Sequence, residues 1–192
     1  MSDKTISDIK LRQFADNDSV GLIDMQNLIY PDHPLSLDSF RHYEKTRGAK
    51  IQHKHWVWEK DGAIFCSVLY TQWEDSYHPH KFVIQICVHP DHQNQRIGAF
   101  CYDFIIKELE SLGPIKLSAM VHEPHIHSIR FMENRGFNNT FKERESSLDL
   151  TIYSPKLYQS ELDHVLHQGF RIVTLSDFRK EDDNADYKAW EL

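Results

Sequence analysis

Long apolar runs are missing from this chain of 192 residues. No stretch approaches the ~20 consecutive apolar residues that a membrane-spanning helix needs. The opening Met1-Ser2-Asp3-Lys4-Thr5 also lacks the apolar segment of a secretory signal. Paired cysteines are missing as well. Cys66, Cys87 and Cys101 are odd in number and form no CxxC, which argues against a disulfide framework or a cysteine zinc site and fits a reducing compartment. The expected location is therefore cytoplasmic. Positive charge is scarce: 22 Lys and Arg face 29 Asp and Glu, a formal net charge of -7. Without a basic run or stripe, nucleic-acid binding has no electrostatic footprint. Any anionic ligand has to be held by local backbone amides rather than by the overall field.

What is present is an orderly alternation of strand and helix signals. Ile9-Lys10-Leu11-Arg12-Gln13-Phe14 alternates like a half-buried strand. Asp16 to Ser19 then offers caps for a helix through Val20 to Met25, which Pro31 and Pro34 stop near Tyr30. Ser36 opens a second helix carrying Leu37, Phe40 and Tyr43. His55 to Glu59 and Ala63 to Tyr70 are strand-like and joined by Lys60-Asp61-Gly62, a hairpin signal. Lys81 to Val88 is nearly continuously apolar, as in a strand covered on both faces. Beyond Arg96 the period becomes helical through Ile97, Cys101, Phe104, Ile105, Leu109 and Leu112, until Gly113-Pro114. Ile115 to Val121 alternates, Ser128 to Arg135 reads as a short helix closed by Gly136, and Phe141 to Ile152 offers one or two further strands. This order predicts an α/β fold with a mixed sheet and helices on its faces, spanning residues 1–152. Residues 153–192 read as an extension: a helix from Leu157 to Leu166, a strand from Gly169 to Leu175, and a last helix after Asp177 to Asp183. That order repeats the opening of the chain weakly.

The chemistry concentrates in Val88-His89-Pro90-Asp91-His92-Gln93-Asn94-Gln95-Arg96-Ile97-Gly98-Ala99. A strand delivers the chain to a tight turn and a helix starts at once. The first N–H groups of a helix have no internal partner and sit at the positive end of its dipole, so together they make an anion site. Gly98 removes a Cβ from the path of a ligand. The turn has no Gly-Lys-Ser/Thr of a Walker loop and lacks the three glycines of a dinucleotide turn. Physics alone gives a phosphate at a helix N-terminus.

Val88-x-Pro90-x-x-Gln93-x-x-Arg96-Ile97-Gly98 resembles the acetyl-CoA signature of the GNAT superfamily of acyl-CoA-dependent N-acyltransferases, Val-x-Pro-x-x-Arg/Gln-x-x-Gly-x-Gly/Ala. Ser128-Ile129-Arg130-Phe131-Met132-Glu133-Asn134-Arg135-Gly136-Phe137 resembles the family's late helix, which packs beside the thiol end of the cofactor. The likeness covers residues 6–152 and extends to element order. It implies a central sheet whose fourth and fifth strands splay apart. It also implies that Ile86, Cys87 and Val88 offer backbone groups to the pantetheine arm, as a strand pairs with an edge. Gln93, Asn94, Gln95, Arg96, Ile97, Gly98 and Ala99 would hold the pyrophosphate, and His125, Ser128 and Phe131 would border the thiol end. The implied reaction moves an acetyl group from acetyl-CoA, as co-substrate and without a metal, to a small or peptide amine.

Three residues depart from that pattern. Arg96 replaces the usual middle glycine, which suffices if its φ stays negative, since only the N–H is required; its guanidinium can also neutralise phosphate. Met132 stands where the family often has the tyrosine that reprotonates the CoA thiolate, and a thioether has no proton to give. His125 replaces a frequent asparagine. The departures leave an alternative reading, a weak or inactive acyl-CoA-binding module; the tail from Gly169 resembles the start of a second copy in tandem family members. For a general base, Glu74 and His80 are the candidates just ahead of the central strand, with Asp75 and His78 nearby. Tyr30, Tyr70 and Trp73 are candidates to wall an amine pocket. His122-x-x-His125-x-His127 fits no standard metal spacing, and Pro124 interrupts it. Cys87 and Cys101 fall on apolar patterns and read as core. A homodimer is compatible with the extension.

Overall fold

The computed structural model describes residues 10–191, so Ile9 of the first predicted strand lies outside the described residues. The chain divides into two compact units at 138/139, earlier than the boundary the sequence suggests, so that 139–152 groups with the second unit.

The first unit is a mixed α/β layer. Its sheet runs in the order β1 (Lys10–Gln13), β2 (Lys54–Lys60), β3 (Ala63–Thr71), β4 (Lys81–Val88), β5 (Lys116–Ser118). The first three junctions are antiparallel and the last is parallel. Between β2 and β3 the loop is the two residues Asp61 and Gly62, at φ 51° and 80°. Two consecutive positive-φ residues make the hairpin turn whose twist matches the strands, which is why Asp-Gly occurs here.

Helices cover both faces. α1 (Ser19–Ile29) and α2 (Leu37–Thr46) lie on one side, where Leu22 and Met25 bury against Cys87 with Phe14, Tyr30 and Phe40 packed around them. The Ser36 side chain caps α2, accepting the Ser39 N–H at 3.1 Å. On the other side α3 (Ile97–Glu110) buries Cys101, Ile105 and Leu109 against Trp56, Trp58, Val68, Tyr70, Phe82 and Ile84. Phe104 sits edge-on between Trp56 and Trp58, with centroids at 5.2 and 5.4 Å. Each large apolar side chain buried this way contributes about 1.5–3 kcal/mol, so the sheet fixes α3 and with it the turn before it. α4 (Ile126–Glu133) follows β5. Among the described residues no helix is long and apolar enough to cross a membrane.

Two predicted strands do not form. Residues 145–150 alternate but carry no ladder. Alternation reports amphipathic side chains, whereas a strand needs a neighbouring edge to bond. Residues 170–174 are likewise irregular, because Thr174 caps a helix instead, its hydroxyl accepting the Asp177 N–H at 3.1 Å. The second unit is therefore helical: α5 (Gln159–His167), α6 (Leu175–Glu181) and α7 (Ala185–Trp190), with Arg179 paired to Asp186 at 2.6 Å. The helix-strand-helix expected for the extension is corrected to three helices.

Beneath α1 and α2 lies His55, only 7% exposed and stacked on Phe14 at 4.7 Å. Neither ring nitrogen has a hydrogen-bond partner. Burial pushes its pKa down from 6.5 to about 3, so the folded protein refuses a proton that the unfolded chain accepts below pH 6.5. Stability is whole near neutrality and falls as the pH drops through that window, by up to about 2 kcal/mol at pH 5 from this residue. His55→Phe keeps the stack and removes the proton uptake. Urea denaturation should show a smaller loss of stability between pH 7 and pH 5 in the variant than in the parent; equal losses contradict the assignment.

Candidate active site

β4 leaves the sheet at His89, whose N–H donates to the Phe65 carbonyl at 2.8 Å. A single 3-10 turn, Pro90–His92, reverses the chain, with the His89 ring accepting the Asp91 N–H. The Gln93 amide then reaches back to the Val88 carbonyl at 3.0 Å, and the Gln95 amide to the Asp91 carbonyl at 3.2 Å. Asn94 and Arg96 both take left-handed backbone, at φ 59° and 66°. The condition of a negative φ at Arg96 is thus not met. The chain has to reverse just ahead of α3 to aim the first N–H groups of that helix outward, and a left-handed residue followed by a right-handed one makes the concave nest that does so. Arginine takes a conformation here that glycine holds without cost; the difference is about 1–2 kcal/mol. Gly98 is an ordinary helical residue, and a Cβ there would meet Phe131 at an unstrained 3.5 Å. The described chain thus has room for a side chain at Gly98.

Beside this turn the sheet forks. β5 pairs with β4 only at Lys81, Phe82 and Val83, while β4 runs on to Val88. His89 points its N–H at β3, so by alternation Ile84, Ile86 and Val88 turn their backbone groups to the open side. The side chains alternate too. Ile84, Ile86 and Val88 join the core under α3, and Cys87 faces α1.

At the fork lies a cleft of about 360 Å³, bordered by Tyr43 and Glu44 of α2, by Arg47 just after that helix, by His53, by Glu74, and by Met120 beyond β5. Val83, Ile84 and Gln85 of β4 form its floor. Glu44 and Arg47 pair within it, one helical turn apart. Glu74 is exposed, and its carboxylate accepts the Gly48 N–H at 3.0 Å. Both His53 nitrogens are buried without partners, and burial lowers the pKa of this ring from 6.5 to about 4.

The structure brings together most of the residues the sequence marked. Ile86, Cys87 and Val88 lie on the forked strand, Gln93 to Arg96 in the turn, and Ile97, Gly98 and Ala99 in the first turn of α3. Phe131 of α4 lies against Gly98, under the Arg135 guanidinium at 3.5 Å. Ser128 is exposed on α4, and His125 precedes that helix with its ring 5.3 Å from Tyr30. Glu74 reaches the cleft, but His80 does not: it is exposed and its Nδ1 bonds the Leu112 carbonyl at 3.0 Å. Tyr70 is 3% exposed in the core, and Tyr30 and Trp73 lie outside the lining, so none of the three walls the cleft. Sequence reading missed Tyr43, Glu44, Arg47 and His53. The i, i+3 spacing of Glu44 and Arg47 marks a shared helix face, but nothing in the sequence points that face at β4. Among the described residues no group of three or more His, Cys, Asp or Glu is placed to hold a metal ion.

Arg96→Gly should relieve the left-handed strain and raise stability by up to about 1 kcal/mol, the gain reduced by the extra freedom of glycine in the unfolded chain. Chemical denaturation measures it, and a clear loss of stability would mean the Arg96 side chain, not its backbone, holds the turn.

The model of the Acetyltransferase (GNAT) family matches residues 21–137, from the first turn of α1 through α4, with the whole site. No curated protein matches the chain by sequence. Solved structures share the fold at low identity. A Salmonella typhimurium protein named yncA, solved with its cofactor acetyl-CoA, is 18% identical with a TM-score of 0.58, over 75% of this chain and 87% of that one. Glucosamine-6-phosphate N-acetyltransferase of Arabidopsis thaliana is 17% identical with a TM-score of 0.55, over 73% and 99%. An aminoglycoside acetyltransferase from an uncultured soil metagenomic sample is 14% identical with a TM-score of 0.58, over 76% and 100%. With its forked mixed sheet and the turn between β4 and α3 inside the matched segment, the chain belongs to the GNAT family of acetyltransferases.

Proposed function

We propose that this protein transfers an acetyl group from acetyl-CoA to a primary amine by direct attack. The observation that carries the reading is the meeting of two features at one place. The left-handed turn at Asn94 and Arg96 directs the N-terminus of α3 outward, and the unpaired edge of β4 begins beside it. The first suits a pyrophosphate, with the Arg96 guanidinium available as counter-charge. The second suits an extended arm carrying amides of its own, which adds to the sheet as a strand would.

Acetyl-CoA supplies an activated thioester carbonyl. The chain supplies position and protons. Pantetheine pairing along Ile86 and Val88 would set the acyl end at the fork, bordering the cleft under α2. An amine entering there would meet the carboxylates of Glu44 and Glu74, which attract the ammonium form, and Glu74 would take its proton. Holding the two reactants together removes the entropy cost of their encounter, and this accounts for most of the catalysis.

A second reading has its own observation. Met132 packs among the apolar side chains of the core and offers no proton, which suits a module that binds acyl-CoA without turning it over. Two measurements on the whole chain separate the readings. Titration calorimetry should show saturable acetyl-CoA binding, and its absence up to millimolar concentrations removes both. Release of free thiol with a panel of primary amines should detect turnover, and Glu74→Gln should lower kcat by roughly 10- to 100-fold with acetyl-CoA affinity unchanged. Binding without thiol release from any amine leaves the binding module.

A further inference from the structure

At the C-terminus of α1 the chain places a phenol against the forked strand. Tyr30 packs on the cluster of Leu22, Met25 and Cys87, beside the β4 residues whose backbone groups face the open side. Its backbone is fixed from both directions: its N–H donates to Gln26 at 2.8 Å and its carbonyl accepts from His33 at 3.1 Å. Asn27 clamps the loop that follows, its side chain bonding both the N–H and the carbonyl of Leu35, at 2.8 and 3.1 Å. Across the fork, the loop between β5 and α4 brings two imidazoles onto the same ring. His122 lies 4.6 Å from Tyr30 and His125 stacks at 5.3 Å. Tyr30 therefore spans the opening between β4 and the segment leading into α4.

We infer that Tyr30 donates the proton taken up by the departing CoA sulfur. This rests on the acetyl-CoA reading above and deepens it. The amine nitrogen forms its bond to the carbonyl carbon, the carbon–sulfur bond breaks, and the sulfur takes the hydroxyl proton of Tyr30. The phenolate left behind regains the proton that the nitrogen loses, through Glu74 or solvent, so the sum is amine plus thioester giving amide plus thiol.

Three observations favour Tyr30 over other groups. Met132, at the corresponding end of α4, has no proton and is turned into the core. Tyr102 is engaged with Phe131, Phe137 and Arg135 on the α3 side, and Tyr70 is buried among Trp56 and Phe82. Tyr43, though on the cleft, is 67% exposed on α2. Burial, with a smaller effect of Cys87, pushes the Tyr30 phenol up to about 12, so it holds its proton at neutral pH.

The test compares the full-length protein with Tyr30→Phe, which keeps the ring and its packing. The acceptor is the panel amine that the parent uses fastest, or water if none is used. The expected result is a kcat lower by roughly 10- to 100-fold, at or below the low end of general-acid effects because a thiolate leaves readily, with the acetyl-CoA Kd unchanged within about twofold. A fluorinated tyrosine at position 30 retains the hydroxyl and lowers its pKa. It should keep turnover and move the alkaline fall of kcat to lower pH, which a packing role would not do. The titratable groups facing the phenol are Cys87 from β4 and His122 and His125 from the loop after β5. Parental kcat in Tyr30→Phe, or an alkaline limb that fluorination leaves in place, overturns the inference. Failure of the parent to bind acetyl-CoA would instead overturn the reading beneath it.

Discussion

A β-strand that outruns its neighbour leaves backbone N–H and C=O groups without partners along one edge, and edges of that kind invite another extended chain to bond them. β4 is in this position around Ile86, because β5 ends at Ser118, while the Val88 carbonyl is taken by the Gln93 side-chain amide. Everything distinctive about the site follows from that fork. It gives an extended ligand a template, gives an acceptor an entrance between the strands, and puts the start of α3 beside the open edge. The rest of the fold holds this arrangement still. Trp56 and Trp58 pin α3 to one face of the sheet through Phe104, while Arg12 ties the other end together. The Arg12 guanidinium bonds Asp18 at 2.5 and 2.7 Å and Glu59 at 2.7 and 2.9 Å, joining β1, β2 and the entry to α1. That pairing holds the Asp18 carboxyl below its ordinary range, a sign that the charge stabilises this joint.

Electrostatics at the site are local. With a net charge of -7 the protein does not draw an anion to itself. The α3 N-terminus supplies partial positive charge over a few ångströms only, and Arg96 is the cation nearest to hand in the turn. The cleft beside α2 has the opposite character: Glu44 and Glu74 outnumber Arg47. In the proposed reaction, a phosphate-bearing donor and a cationic amine would thereby be favoured at different ends of one fork.

Much of this was legible in the sequence, for identifiable reasons. The hairpin at Asp61-Gly62 announces itself because its backbone demands those residues, and Lys81 to Val88 reads as a covered strand because both its faces are apolar. The turn is legible through the spacing of Pro90, Gln93 and Gly98. Its curvature is not. A left-handed arginine is a choice that tertiary structure imposes on the backbone at Arg96, and composition carries no trace of it. The strands expected within 141–152 and at 169–175 show the opposite error. Their alternation is real, but pairing depends on an available edge, which a local pattern cannot report. The cleft wall of Tyr43, Glu44, Arg47 and His53 was invisible for a similar reason, since it exists only once α2 is laid across the sheet.

In the proposed function, the fork and its turn bind acyl-CoA through backbone amides. Amide-resolved NMR during titration with acetyl-CoA tests it most directly. The account predicts saturable shifts at Ile86, Val88 and Gln95 to Gly98, with little change in α2 or the hairpin at Asp61-Gly62. Saturable shifts that leave those amides unmoved, or a spectrum that does not change at all, would contradict it.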